Sequence, residues 1–281
     1  MTYSWSNPVP RYGDLDRHQN WLQGQLDRCD DREFGHDFAR HCPLDGVDAD
    51  AYQHRVLTVG EAKLLTGIRF KGCDVTQPFV DLIAWTGNPQ RDWITAVAEE
   101  YAPFRPLWMR YAWCEREPEP WGGEVDQFVY AGPARGEIDA EIREADHLDW
   151  FDEFQTDFEA WRQADPLGQE VAPAERQELE ACLERGKIVI AERDDSFLGM
   201  AACLWSEDRA FAGWMMMEEY VVRDQRGRGW GSRLQQALMA TLPQEDLVWG
   251  TIHKDNISSQ KTAARCGREI VETWWLTQLE L

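Results

Sequence analysis

In the second half of the chain, apolar positions recur with two distinct periods, and the alternation between them outlines one domain. Phe151, Phe154, Phe158 and Trp161 fall three and four residues apart, which predicts an amphipathic helix over 147–162. A second helix is expected over Pro173–Arg185, with Leu179, Cys182 and Leu183 inward and Gly186 as its stop. Lys187–Glu192 and Phe197–Trp205, joined by the turn Arg193-Asp194-Asp195-Ser196, read as a hairpin. Phe211–Val222 is a further strand, followed by a glycine-rich stretch and a helix from Ser232 to Leu242, ended before Pro243. Leu247–Ile252 reads as a strand, Ile257–Cys266 as a helix with Gly267 at its C′ position, and Ile270–Leu281 as the strand that closes the sheet. With a short opening strand at Glu137–Glu144, the order is β, α, α, β, β, β, loop, α, β, α, β.

The first half alternates less clearly. Residues 1 to about 45 are polar, with one short helix expected over Asn20–Arg28. Residues 55–70 read as a strand pair or a helix and strand, Val80–Trp85 as an apolar run, Asp92–Tyr101 as a helix and Leu107–Cys114 as a strand. Glu115–Gly123 and Gly132–Gly136 are breaks rich in Pro and Gly, which places the boundary between 115 and 136. The expected organisation is an N-terminal α+β domain over 1–125 and a second domain over 136–281.

Composition narrows the choice of partner. The 281 residues carry a formal charge of −22, which argues against non-specific binding to nucleic acid or to an anionic membrane. Fifteen tryptophans announce large aromatic packing surfaces. Seven cysteines, an odd number with no Cys-x-x-Cys pair, suit reduced thiols and a cytoplasmic location. No apolar run approaches the length of a membrane span, and the N-terminus lacks the pattern of a signal peptide. Cys29, His36, His41 and Cys42 match no common zinc spacing, so no metal is expected.

The candidate chemistry centres on Val221-Val222-Arg223-Asp224-Gln225-Arg226-Gly227-Arg228-Gly229-Trp230-Gly231-Ser232-Arg233, where strand becomes helix. Free N–H groups at a helix start, together with the helix dipole, favour an anion, and glycines let a diphosphate come close. Four arginines against one aspartate make this stretch a basic island in an acidic chain. A P-loop would need a lysine after the glycines, and a dinucleotide fingerprint would need a third glycine where Ser232 or Leu234 stands. A solvent turn or an arginine–glycine patch for nucleic acid are the plainer alternatives.

Arg226-x-x-Gly229-x-Gly231 resembles the Arg/Gln-x-x-Gly-x-Gly/Ala signature of the GNAT (GCN5-related) N-acetyltransferases, and the element order over 137–281 is similar to theirs. Asn256, Ser259 and Gly267 resemble the Asn, small residue and Gly of that family's fourth helix. The resemblance implies a mixed α+β fold, a largely antiparallel sheet flanked by helices. The N-terminal α+β domain is then either an unrelated domain or a degenerate GNAT copy. It implies acetyl-CoA as co-substrate, its pyrophosphate on the amides of Arg226, Gly227, Arg228, Gly229, Trp230 and Gly231, helped by Ser232. Its pantetheine would lie along Tyr220, Val221 and Val222 and meet Asn256, with Ser259 in the same neighbourhood. Lys254, Lys261 and Arg265 are candidates for the adenosine 3′-phosphate. Direct acyl transfer to an amine needs a base, for which Glu218 and Glu219 are the candidates. It also needs an oxyanion donor and an acid. The family's usual tyrosine acid is replaced here by Ala263, which leaves Tyr220, His253, Cys266, a water or unassisted departure of the thiolate.

The expected activity is N-acetylation of a primary amine on a small molecule. Residues 137–180 hold 15 acids against three arginines, which suggests a cationic acceptor such as a polyamine, although a solvated acidic face explains the same count. A non-catalytic acyl-CoA sensor and an enzyme with a longer acyl donor are the alternatives, and homodimerisation is an open option.

Overall fold

The computed structural model describes Trp5 and residues 9–113, 119–194 and 196–279. Cys114, Glu115–Pro118, Asp195 of the hairpin turn and the last two residues, Glu280 and Leu281, lie outside the described residues, as does most of the N-terminal octapeptide. The chain forms two compact units, Met1–Asp126 with Glu272–Leu281, and Gln127–Val271.

In the first unit, α1 (Leu15–Asp27) and α2 (Arg32–His41) each begin at an aspartate whose carboxylate accepts a first-turn amide, Asp14 from Arg17 and Asp31 from Phe34. β1 (Arg55–Val59), β2 (Ala62–Phe70) and β3 (Pro78–Trp85) form an antiparallel meander, so 55–70 is a strand pair. The helix α3 (Asp92–Glu100) then returns the chain to β4 (Trp108–Trp113), which runs parallel to β3.

The second unit contains β5 (Glu124–Pro133) from Gln127 onward, β6 (Ile142–Glu144), α4 (Phe151–Ala164), α5 (Pro166–Glu170) and α6 (Arg176–Arg185). There follow β7 (Gly186–Arg193), β8 (Ser196–Asp208), β9 (Phe211–Val221), α7 (Trp230–Ala240), β10 (Leu247–His253) and α8 (Ile257–Arg265). Its strands lie in the order β5-β10-β9-β8-β7-β6, antiparallel except for the β9–β10 pair.

Alternate residues of β7 show how this sheet is held. Ile188 and Ile190 face a core with Phe154, Phe158 and Leu179, while Val189 and Ala191 face one with Leu234, Leu238 and Trp230. Helices α4–α6 thus cover one face and α7 the other.

Two features differ from the sequence expectation. The last strand, β11 (Glu269–Gln278), belongs to the second unit only as far as Val271: Thr273–Gln278 pair antiparallel with β4 in the first unit. The neighbour of β10 is instead β5, which lies inside the stretch read as an interdomain break. Pattern reading misses β5 because Gly122–Gly123 precede it, Gly132–Pro133 are its last two residues, and its apolar residues Phe128-Val129-Tyr130 are consecutive rather than alternating. The partner of an edge strand is chosen by tertiary packing, since Ile270–Leu281 suits either sheet by composition.

Candidate functional site

The site begins where β9 and β10 part. They pair in parallel only at Trp214–Val248 and Met215–Trp249. Beyond these pairs the strands diverge and a cavity of about 540 Å³ opens. Its lining includes Met216–Val221 of β9, Gly250–His253 of β10, the start of α7 and the first turns of α8. β9 also carries a bulge against β8, where Cys203 pairs with Met216 and Ala202 with Glu218, leaving Met217 unpaired. The bulge reverses the inward–outward alternation at the point where the carboxylates stand.

The loop that closes one end takes its shape from two glycines. Gly227 (φ 76°) and Gly229 (φ 85°) are left-handed, a conformation that costs a side chain dearly, and Gly229 is the N-cap of α7. Arg226 N–H bonds back to Arg223 O and Arg233 N–H to Gly229 O. Among the described residues, no acceptor meets the amides of Gly227, Arg228, Gly229, Trp230, Gly231 or Ser232. Gly231 has another constraint, since a Cβ there would stand 2.9 Å from Glu219 Oε1.

The arginines around the loop are mostly occupied. Arg233 forms a bidentate pair with Asp139 and also donates to Glu141. Arg223 is bound to Asp157 through its backbone N–H and its guanidinium. Arg226 donates to Val221 O at 3.0 Å and lies over the Trp161 ring at 4.6 Å. Arg228 donates to Gln225 Oε1 at 3.2 Å and is not part of the cavity lining. Two of the four arginines, Arg223 and Arg233, are thus neutralised within the fold, while Arg226 keeps its charge at the cavity beside the open amides. Lys261 and Arg265 border the cavity, while Lys254 pairs with Asp255 and does not.

Glu218 and Glu219 point to opposite faces of β9, and both line the cavity. Glu218 faces the α4–α6 side, its Oε2 accepting the Ala174 N–H at 2.9 Å and its Oε1 the Glu219 N–H at 2.9 Å. Burial outweighs these hydrogen bonds and raises its pKa from 4.5 to about 7. Glu219 faces α7 and accepts from Gln235 Nε2; Gln235 Oε1 in turn accepts from Arg268 Nη2 at 2.8 Å. Burial raises Glu219 to about 7 as well, opposed by Gln235 and the Arg268 charge. Arg268, which sequence reasoning passed over, is 4% exposed, lines the cavity and keeps its Nε without a partner. Its only sequence signal is a charge directly after the helix-ending Gly267.

Tyr220 does not stand ready as a proton donor. Its ring packs with Phe154 and Phe158, and its hydroxyl donates to Asp157 Oδ2 at 2.7 Å. Burial and the adjacent Asp157 hold its pKa well above the ordinary tyrosine value. Asp157 itself, despite burial, is held below the usual carboxylate range by hydrogen bonds from Tyr220 and Arg223. Cys266 is buried, outside the cavity lining, with its thiol directed at Ser232 O and pushed up to about 11 by burial. His253 lines the cavity, and its Nδ1 accepts the Asp255 N–H at 3.3 Å, which leaves the proton of a neutral ring on Nε2. Ala263 is fully buried against Tyr130 and Ile252.

Of the other expected contacts, Val221, Trp230, Ser232, Asn256 and Ser259 line the cavity. Asn256 also caps α8, accepting the Ser259 N–H at 3.1 Å. Val222 lies outside the lining, packed against the α4–α6 core. Among the described residues no cluster of three or more His, Cys, Asp or Glu side chains is arranged to hold a metal ion. No helix among them is long and apolar enough to cross a membrane. In the N-terminal segment His36 pairs with Asp50 and Cys42 is buried in the core.

Residues 146–267, which contain every cavity-lining element of α4–α8 except Arg268, match the family described as Acetyltransferase (GNAT) family. No curated protein matches the chain. Among solved structures, an acetyltransferase of the GNAT family from Colwellia psychrerythraea is 12% identical, with a TM-score of 0.54 over 92% of this chain and 97% of that one. A GCN5-related N-acetyltransferase from Sphaerobacter thermophilus is 14% identical, with a TM-score of 0.50 over 99% of this chain and 96% of that one. At such identities the likeness is one of fold, and it extends over both units.

Proposed function

Because the C-terminal half of this chain is a GNAT domain, we propose that the protein is an acetyl-CoA-dependent N-acetyltransferase acting on a primary amine of a small molecule. The observation that carries the reading is a row of unengaged amides, Gly227 to Ser232, opening into the same cavity as a carboxyl group with a pKa near 7. The amides receive the diphosphate of the co-substrate, Asn256 meets the pantetheine amides, and Lys261 and Arg265 stand near the 3′-phosphate.

Glu218 is the base. It takes a proton from the incoming ammonium, and the freed amine nitrogen bonds to the acyl carbon. A backbone N–H of β9 beside the bulge stabilises the oxyanion. Collapse of the tetrahedral intermediate breaks the carbon–sulfur bond, and the thiolate takes a proton. His253 Nε2 is the donor best supported, because the Tyr220 hydroxyl is committed to Asp157 and the Cys266 thiol to Ser232 O. Glu219 and Arg268 act as positioning residues beneath the start of α7. Met217 in the lining favours a short acyl group over a long one. Free Cys29, Cys182, Cys203 and Cys266 support a reducing, cytoplasmic setting.

A second reading, an acyl-CoA sensor, draws support from the buried Ala263. Thiol release from acetyl-CoA in the presence of an amine panel separates the two. Binding by calorimetry with no amine-dependent thiol release would establish the sensor and sink the enzyme.

A further inference from the structure

The cavity wall on the α4–α6 side is mostly apolar, with Asp165 and the Arg226 guanidinium over Trp161 as its charged exceptions. Phe158 and Trp161 come from one face of α4, Leu167 from α5, Val171 and Ala172 from the connection to α6, and Met217 from the bulge. The Trp161 indole N–H is buried with no hydrogen-bond partner.

Carboxylates are scarce on this wall, although they crowd the sequence around it. Of the acids in 137–180, Asp165 alone borders the cavity, and its Oδ1 is taken by the Leu167 N–H at 2.9 Å. The others are turned to internal tasks or to solvent. Asp139 and Glu141 hold Arg233, Glu144 pairs with Lys187, and Asp152 with Arg176. Asp157 holds Tyr220 and Arg223, and Glu175 and Glu178 cap α6. From β9, Glu218 alone faces this side. The charges of Asp165 and of the Arg226 guanidinium, which lies over the Trp161 ring at 4.6 Å, offset one another on this wall, so one ammonium finds one uncompensated carboxylate, Glu218, and the body behind it meets aromatic and aliphatic carbon. A second ammonium would be desolvated there beside the Arg226 cation with no further net negative charge to meet it, which is costly.

We propose, resting on the N-acetyltransferase reading, that the acceptor is a monoamine carried on an apolar, preferably aromatic body, and that polyamines and other polycations are excluded. Local net charge, which pointed to a cationic acceptor, misleads because those charges are spent on the fold.

The test uses the full chain with acetyl-CoA and measures thiol release for propylamine, hexylamine, 2-phenylethylamine, putrescine and spermidine. Burial of the ring raises kcat/KM for 2-phenylethylamine over propylamine by about tenfold or more, and both polyamines fall below propylamine. Leu167→Asp, at a half-buried position, lowers kcat/KM for 2-phenylethylamine by about tenfold or more and raises that for putrescine, with KM for acetyl-CoA unchanged. If putrescine or spermidine is the better substrate for the native protein, the inference fails while the enzyme reading stands. If Leu167→Asp weakens acetyl-CoA instead, the wall has been assigned to the wrong ligand. If no amine of either kind releases thiol although acetyl-CoA binds, this inference and the proposed function fall together.

Discussion

The two units repeat one topology and treat its central gap in opposite ways. In each, three antiparallel strands lead through a helix to a fourth strand parallel to the third, β1-β2-β3-α3-β4 in one and β7-β8-β9-α7-β10 in the other. In the second unit the parallel pair separates after two residue pairs, and the space holds a cavity. In the first unit β3 and β4 pair over Phe79–Leu82, and the space beyond is packed with tryptophan. Trp85 stacks on Trp113 at 6.3 Å, and Trp121 sits edge-on to Trp85, tilted against Trp93 and edge-on to Tyr111.

The connecting loops differ in the same sense. Before α3 the amides of Trp93 and Ile94 are already bonded to Gln90 O and Arg91 O, while before α7 six successive amides are open. A shared fold thus supplies the position of a site, and side-chain volume together with amide satisfaction decides whether anything binds there.

Four experiments press on that contrast, taken from the largest effect to the smallest. Glu218→Gln should lower kcat by about 10²- to 10⁴-fold with KM for acetyl-CoA little changed, as for loss of a general base. The native kcat/KM should rise about tenfold per pH unit below pH 7 and level off above it, because Glu218 must be ionised to accept a proton and its pKa is about 7. A flat profile through this range would remove Glu218 from the mechanism.

Trp93→Ala, in the packed gap, should cost about 3–5 kcal/mol in denaturant unfolding and leave coenzyme A affinity of the folded protein unchanged. Loss of affinity at full folding would mean that the first unit takes part in binding. Gly229→Glu should weaken coenzyme A by about 100-fold, or about 2.7 kcal/mol, since it places a strained, negatively charged residue at the open amides. Its counterpart in the first unit, Gly87→Asn, also left-handed with open space around it, should change nothing in that titration. Equal affinities for native protein and Gly229→Glu would refute the loop assignment.

The smallest effect concerns stability. The folded Glu219 has a pKa of about 7 against 4.5 for an ordinary glutamate, so between these values the unfolded chain binds fewer protons. Its contribution to stability therefore falls as pH rises through that window. Glu219→Gln does not titrate. Its melting temperature minus that of the native protein should be level below pH 4.5, climb towards pH 7 and level again. A difference independent of pH would mean that Glu219 is not buried as described.

Much of the second unit was legible in the chain because its signals are local. Helical spacing in Phe151–Trp161, the stop at Gly186 and the glycines at 227 and 229 each act through neighbours in sequence. Choosing between Glu218 and Glu219 was not possible from alternation, because the bulge at Met217 is defined only against β8. The buried Arg268 and the commitment of Tyr220 to Asp157 were equally out of reach. Each depends on a partner 33 or 63 residues away.

What the sequence determined by itself is most of the elements of the second unit, the glycine-shaped turn between β9 and α7 and the absence of the usual tyrosine at Ala263, since backbone preference and residue identity are local properties. What only the tertiary structure decided is which strand borders which sheet, which of two equally good strands fills an edge, which charges are spent on the fold, and whether the gap between parallel strands stays open. Those outcomes depend on packing and desolvation between residues far apart in the chain, where pairing can cancel a charge and a tryptophan can close a cleft that composition alone leaves undecided.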